Sequence, residues 1–184
     1  MTSFVSFAKD CFNECQVTQS SYQVSCESAL NNENLKKVVQ AVIRIQKSID
    51  WNRVDLNIAM RRLELSDNPK VFVHDPSSGE IHGYAIVVPK EIERENLWYI
   101  SQIAVDRKFQ RGGIGRAIMH KIFEEAMEHG IRDITLDTDG EDEKLMKFYR
   151  SFRSQSIHVF EGCGEGKLKS STINISYHLS LSMK

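Results

Sequence analysis

Between Trp98 and Met119 the chain reads WYISQIAVDRKFQRGGIGRAIM, and no other stretch restricts its fold as much. The segment opens as an apolar run with β-branched and aromatic residues, which is strand chemistry. It crosses Gly112, Gly113 and Gly115 and continues with Ile114, Ala117, Ile118, Ile122 and Ala126 at helical spacing, until Gly130 stops the helix. Ile134, Leu136 and Thr138 then alternate as another strand. A strand, a helix and a strand in succession imply a parallel pair, because the helix returns the chain to the end of the sheet where it started.

The flanks add layers to this unit. Upstream, AKDCFNECQ reads as one short helix, and residues 1–20 as an extension of uncertain structure. A brief strand spans Tyr22 to Cys26. Asn31-Asn32 offers a cap to a helix carrying Leu35, Val38, Val39, Val42, Ile45 and Ile49. A second helix runs from about Arg53 to Leu63, capped by Asp50 or Asn52. Lys70 to His74 and Ile81 to Pro89 form a hairpin around the turn Asp75 to Glu80. Leu97 to Val105 is the next strand. Asp142 to Phe152 is helical, and Ile157 with Val159, then Ile173 to Leu181, close the chain as an antiparallel pair. The order β-α-α-β-β-β-α-β-α-β-β is an α/β layered fold with mixed, mostly antiparallel pairing.

The central segment also carries chemistry. Glycines at the loop-to-helix junction let a ligand approach the main chain, and the first N–H groups of a helix favour an anion. Arg111, Lys108 and Arg116 add positive charge. A phosphate or pyrophosphate suits such a seat; a glycine turn kept for packing alone is the competing account. The turn lacks the Lys-Ser/Thr pair of a P-loop and the glycine spacing of the dinucleotide fingerprint. Before it, the apolar phase slips: Trp98 and Ile100 share one parity, Ile103 and Val105 the other. A β-bulge near Ser101-Gln102 resolves the conflict and splays this strand from its parallel neighbour, opening a cleft. A strand buried on both faces also tolerates such phasing.

A length of 184 residues suits one domain, 1–184. A net charge of -1, from 24 basic and 25 acidic residues, gives no field for a polyanion, so nucleic acid is a poor default partner. MTSFVSFAKD does not read as a signal peptide, and no segment has the length of a membrane span, so the expected location is cytoplasmic. Cys11, Cys15, Cys26 and Cys163 read as reduced thiols, and no metal site is expected.

At this point the residues resemble a family. Gln110-Arg111-Gly112-Gly113-Ile114-Gly115 is similar to the Q/R-x-x-G-x-G/A motif of the GNAT acetyltransferases, and Leu145-Met146-Lys147-Phe148-Tyr149 to their A-x-x-F-Y helix. The likeness covers roughly Val71 to Phe152. It implies the GNAT fold, with a central splayed parallel strand pair and helices on both faces, and an N-acetyltransferase that uses acetyl-CoA as co-substrate. By position, the N–H groups of Arg111 to Gly115 hold the pyrophosphate, with Gln110 and Arg116 at its margin. The main chain of Ile103, Ala104 and Val105 takes the pantetheine arm like an extra strand. An N–H at the bulge polarises the acetyl carbonyl, and Tyr149 protonates the leaving thiolate. A core tyrosine beside Phe148 is the plainer account of Tyr149. The chain departs from the family twice: Arg153-Ser154 replaces the usual Gly-Phe, and Tyr99, Ser101 and Gln102 stand where many members carry a glutamate base.

An attacking amine must lose a proton, and Glu93, Glu95, Asp137 and His158 are the candidate bases. Asp137, Asp139, Glu141, Asp142 and Glu143 form an acidic run at the end of a strand. It reads either as an attraction for a cationic amine or, from Glu141 to Glu143, as a solvated helix start. No cysteine lies in the motif region, which favours direct attack in a ternary complex over an acetyl-enzyme. The expected acceptor is a small-molecule or peptide amine, met by the early helices (about 33–65), the final strands and the loop Glu161 to Thr172. Two alternatives stand beside this: a CoA-binding or protein-interaction module without turnover, and an acyltransferase acting on a protein N-terminus or aminoacyl-tRNA. The sequence leaves homodimerisation open.

Overall fold

The computed structural model describes residues 24–27, 32–49, 70–75, 79–92, 95–154, 157–163 and 172–180. In chain order these form β1 (Val24–Glu27), α1 (Asn32–Ser48), β2 (Lys70–His74), β3 (Gly83–Ile92) and β4 (Glu95–Val105), then a 3-10 turn (Arg107–Phe109), α2 (Ile114–Glu128), β5 (Asp133–Asp139), α3 (Glu143–Arg150), β6 (Ile157–Cys163) and β7 (Thr172–Leu179). The expected short helix near residue 10, the helix from Arg53 to Leu63, and Cys11 and Cys15 lie outside the described residues.

The strands make one mixed sheet in the order β1-β2-β3-β4-β5-β7-β6. β4 and β5 are parallel and all other neighbours antiparallel. The α1 face buries Val38, Ala41, Val42 and Ile45 against Val71, Val73, Tyr84, Ile86 and Ala104. The opposite face carries α2 and α3, where Ile118, Met119, Ile122, Phe123 and Ala126 are fully buried on Phe72, Val87, Trp98, Ile134, Ile175 and Tyr177. Each large side chain so buried contributes about 1.5–3 kcal/mol, which is why the stripe on α2, once widened by Met119 and Phe123, fixes this helix on the sheet. Its end is set locally: Gly130, at φ 71°, returns its N–H to Met127, and Ile131 N–H reaches Ala126 at 2.8 Å.

Several boundaries differ from the sequence expectation. β3 runs past Pro89 to Ile92 because these residues pair with Trp98 to Glu95 of β4, whereas the last β2 pair is Lys70 with Val87. Beyond it β3 has one edge that β2 does not use, where a strand tolerates proline. The expected helix from Asp142 to Phe152 shortens to Glu143–Arg150, with Asp142 as its cap. The expected loop from Glu161 begins later: Glu161, Gly162 and Cys163 still pair with Ile175, Asn174 and Ile173. Longer ladder pairing outweighs the glycine-rich composition there.

Candidate active site

The site is built around a fork between β4 and β5. Their parallel ladder consists of Leu97 with Asp133, Trp98 with Ile134 and Tyr99 with Thr135, and it ends there. On the other edge of β4 the register jumps: Val87 pairs with Ile100, but Ile86 pairs with Gln102, so Ser101 is an extra residue. This is the bulge expected from the phase slip. It returns Ile103 and Val105 to the face where Trp98 and Ile100 are buried, and it turns β4 away from β5. On the α1 face the bulge is pinned by a polar contact that sequence reasoning missed. Gln102 Oε1 accepts from Tyr84 Oη at 3.2 Å and Gln46 Nε2 at 3.3 Å, and Gln46 Nε2 also donates to Tyr84 Oη at 3.1 Å. All three side chains are buried. Burial pushes the Tyr84 phenol up to about 12, so it acts here as a neutral hydroxyl.

Past the fork the chain makes a compact turn. Asp106 is buried and accepts Lys108 N–H at 3.1 Å, and Phe109 N–H returns to Asp106 O. His82 stacks on Phe109 with ring centroids 3.6 Å apart. Gln110 Nε2 donates back to Val105 O at 3.1 Å, so this side chain closes the turn. Arg111 and Gly113 both take positive φ, 66° and 86°. The first helical bond of α2 is Ala117 N–H to Gly113 O. The N–H groups of Ile114, Gly115 and Arg116 therefore lie ahead of the helical ladder, at the positive end of the dipole. A Cβ on Gly112 would sit 3.3 Å from Phe109 O, and one on Gly115 would touch Phe148 at 3.4 Å. Lys108 and Arg111 are exposed. Arg116 is directed instead toward α3, donating to Ser151 Oγ at 3.0 Å and lying 5.2 Å from the Phe152 ring.

α3 starts on Asp142, whose carboxylate accepts Lys144 and Leu145 N–H at 3.0 Å. That cap brings Phe148 against Gly115 and buries Tyr149 to 4% exposure beside it, with ring centroids 5.2 Å apart. Tyr177 Oη donates to Tyr149 O. Burial raises the Tyr149 phenol well above its ordinary value, so it keeps its proton at neutral pH. Phe152 is buried among Phe123, Phe148 and Tyr177, so the departure at Arg153-Ser154 leaves the end of α3 well packed.

The acidic run divides by role. Asp142 is a helix cap, and Asp139 accepts Glu141 N–H, the structural account of that stretch. Asp137 differs: it faces the fork, accepting Tyr99 Oη at 3.0 Å and Asn174 Nδ2 at 2.9 Å. His158 is exposed on β6, opposite Ile157 and Val159. Glu93 and the side chain of Glu95 lie outside the described residues. Among the described residues no three His, Cys, Asp or Glu side chains form a metal-binding group, and no helix is long and apolar enough to cross a membrane.

The family model described as the acetyltransferase (GNAT) family matches residues 38–152, more than half of the chain. Among solved structures, an acetyltransferase from Elizabethkingia anophelis with acetyl-CoA bound is 13% identical. It covers 88% of this chain and 100% of its own, with a TM-score of 0.61. An aminoglycoside acetyltransferase from an uncultured soil metagenomic sample, in complex with trehalose, is 21% identical over 88% of this chain and 96% of that one, with a TM-score of 0.59. NAA60 of Arabidopsis thaliana, in complex with a bisubstrate analogue, is 12% identical over 85% and 98%, with a TM-score of 0.57. No curated protein matches in sequence. At these identities the structural likeness speaks to fold.

Proposed function

The chain belongs to the GNAT acetyltransferase family, and from that premise we propose that it is an acetyl-CoA-dependent N-acetyltransferase. In this reading residues 1–184 form one cytoplasmic acetyltransferase domain that moves an acetyl group to a primary amine by direct attack in a ternary complex. The observation that carries it is the turn at the head of α2. Two left-handed residues, and a Gly112 whose Cβ would crowd Phe109 O at 3.3 Å, put successive N–H groups at a helix start, beside a fork in the sheet. An elongated ligand with a pyrophosphate at one end and a thioester at the other fits that arrangement.

Acetyl-CoA supplies an acyl carbonyl activated as a thioester. The N–H groups of Arg111 to Gly115 hold the pyrophosphate, with Arg111 adding charge and Gln110 closing the turn behind it. The main chain of Ile103, Ala104 and Val105 lines the pantetheine arm where β4 leaves β5. Arg116 braces α2 against α3 through Ser151, which keeps Phe148 and Tyr149 at the turn. Tyr149 gives its proton to the leaving thiolate, which its place beside Phe148 at the turn supports.

Incubating the protein with acetyl-CoA and a panel of amines, and following free CoA thiol, tests this. Turnover is expected with at least one amine, and Tyr149→Phe should lower kcat by about 10²–10⁴-fold with acetyl-CoA affinity unchanged. Binding of acetyl-CoA without thiol release from any amine would instead favour a non-catalytic CoA-binding module. The departure at Tyr99, Ser101 and Gln102 from the family's glutamate gives that second reading its support.

A further inference from the structure

The two faces of the fork are not equivalent. On the α2 and α3 side it is closed by the main apolar core. On the other side α1 covers β2 to β4, whereas the β5-β7-β6 half carries polar groups: Thr135, Asp137, Asn174, Ser176 and His158. Among the described residues, that polar half is the side of the fork without an apolar cover. Tyr99 and Asp137 stand on that side. Tyr99 is the last β4 residue paired with β5, and its hydroxyl reaches two residues further along β5 to Asp137, bridging the strands where they part. Asp137 is held from behind by Asn174, which also donates to Leu136 O and accepts from Ser176 Oγ at 3.0 Å. Lys90 Nζ lies 3.9 Å from the Tyr99 ring centroid. The hydrogen-bond directions matter. A phenol has one proton, and Tyr99 gives it to Asp137, so toward any further group its oxygen acts as an acceptor.

Resting on the acetyltransferase reading, we propose that Tyr99 is the catalytic residue that receives the acceptor amine, that Asp137 is its positioning partner and proton sink, and that the acceptor is a primary amine bound as its ammonium. The ammonium donates one proton to Tyr99 Oη as the Tyr99 proton passes to the Asp137 carboxylate, which releases it to water after the cycle. The neutral nitrogen attacks the thioester carbonyl carbon; the C–N bond forms and the C–S bond breaks. The second amine proton, lost as the amide forms, passes to water, and Tyr149, having given its proton to the thiolate, regains one from water, so that one proton is released net per turnover. Among the described residues, the charged and titratable groups sharing this face of the strands are Lys90 over the Tyr99 ring, Asp139 on the same strand, the Asp133–His178 pair and His158. None of them bridges the fork.

The test uses the full chain, Tyr99→Phe, Asp137→Asn and the same amine panel (lysine, a short peptide with a free N-terminus, spermidine and an aminoglycoside), with acetyl-CoA affinity measured by calorimetry as the control for folding. Each variant is expected to lose about 10²-fold in kcat/KM for the amine, with acetyl-CoA affinity within twofold of the parent. In Asp137→Asn the loss should shrink as pH rises through the pKa of the amine used, about 8 for a peptide N-terminus and about 10.4 for a lysine side chain, because the amine then arrives neutral; a purely structural role does not move with pH in this way. Turnover by the parent with kcat/KM preserved in either variant overturns the role of these residues and leaves the acetyltransferase reading standing. So does an equal loss at every pH. A parent that binds acetyl-CoA but acetylates no amine overturns both.

Discussion

Arg111 and Gly113 hold the left-handed region at 66° and 86°, a conformation that is strained for any residue with a Cβ. Keeping an arginine there places its charge at the turn, and Gly113 takes the position that caps α2. A Gly113→Ala change should cost about 1–2 kcal/mol, lowering Tm by roughly 2–8 °C, and should weaken acetyl-CoA binding in the same molecule. Gly130→Ala is the control. Its φ of 71° and open surroundings predict a similar loss of stability, yet it ends α2 at the opposite tip, so acetyl-CoA affinity should not change. Thermal melts and calorimetry on the two variants separate backbone strain from site damage. At this scale the turn itself was legible in sequence, because its glycine chemistry is local. The commitment of Arg116 to Ser151 was not, since those residues are 35 positions apart.

Among the elements, β4 decides the site. Its phase slip in the sequence is the bulge in the structure, with Ser101 as the extra residue. What holds the bulge could not be read. Gln46 follows an apolar position of α1 and Gln102 sits in an apolar strand, and nothing local signals that they meet across 56 residues. Buried polar groups are costly unless paired, so this contact ties the register of α1 to the bulge. Gln102→Leu removes the acceptor shared by Tyr84 and Gln46, and should destabilise the protein by about 1–3 kcal/mol, read from the urea midpoint. It should also lower kcat more than it raises KM for acetyl-CoA, because in the proposed reaction the bulge orients the reacting carbonyl while the turn holds the cofactor.

For the molecule as a whole, acid is the expected weakness. Desolvation lowers His120 to about 4, and also lowers His74 and His82. The unfolded chain binds these protons near the ordinary value of 6.5 and the folded chain only at lower pH, so stability is retained above 6.5 and is lost as pH falls below it, for His120 down toward 4. The largely buried His120 alone gives a slope of about 1.4 kcal/mol per pH unit across that window. Urea midpoints should therefore fall between pH 7 and 5, and His120→Gln should flatten the fall. The same groups show where sequence reading stops. Periodicity, glycine placement and the phase slip determined the order of the described elements, the parallel pair, the bulge and the glycine turn at the head of α2, because each is set by residues within a few positions of one another. The tertiary structure alone decided which helix covers which face, which carboxylate faces the fork and which merely caps a helix. It also decided that Tyr99 meets Asp137. Those outcomes depend on side chains brought together by burial from distant parts of the chain, and a linear pattern carries no record of them.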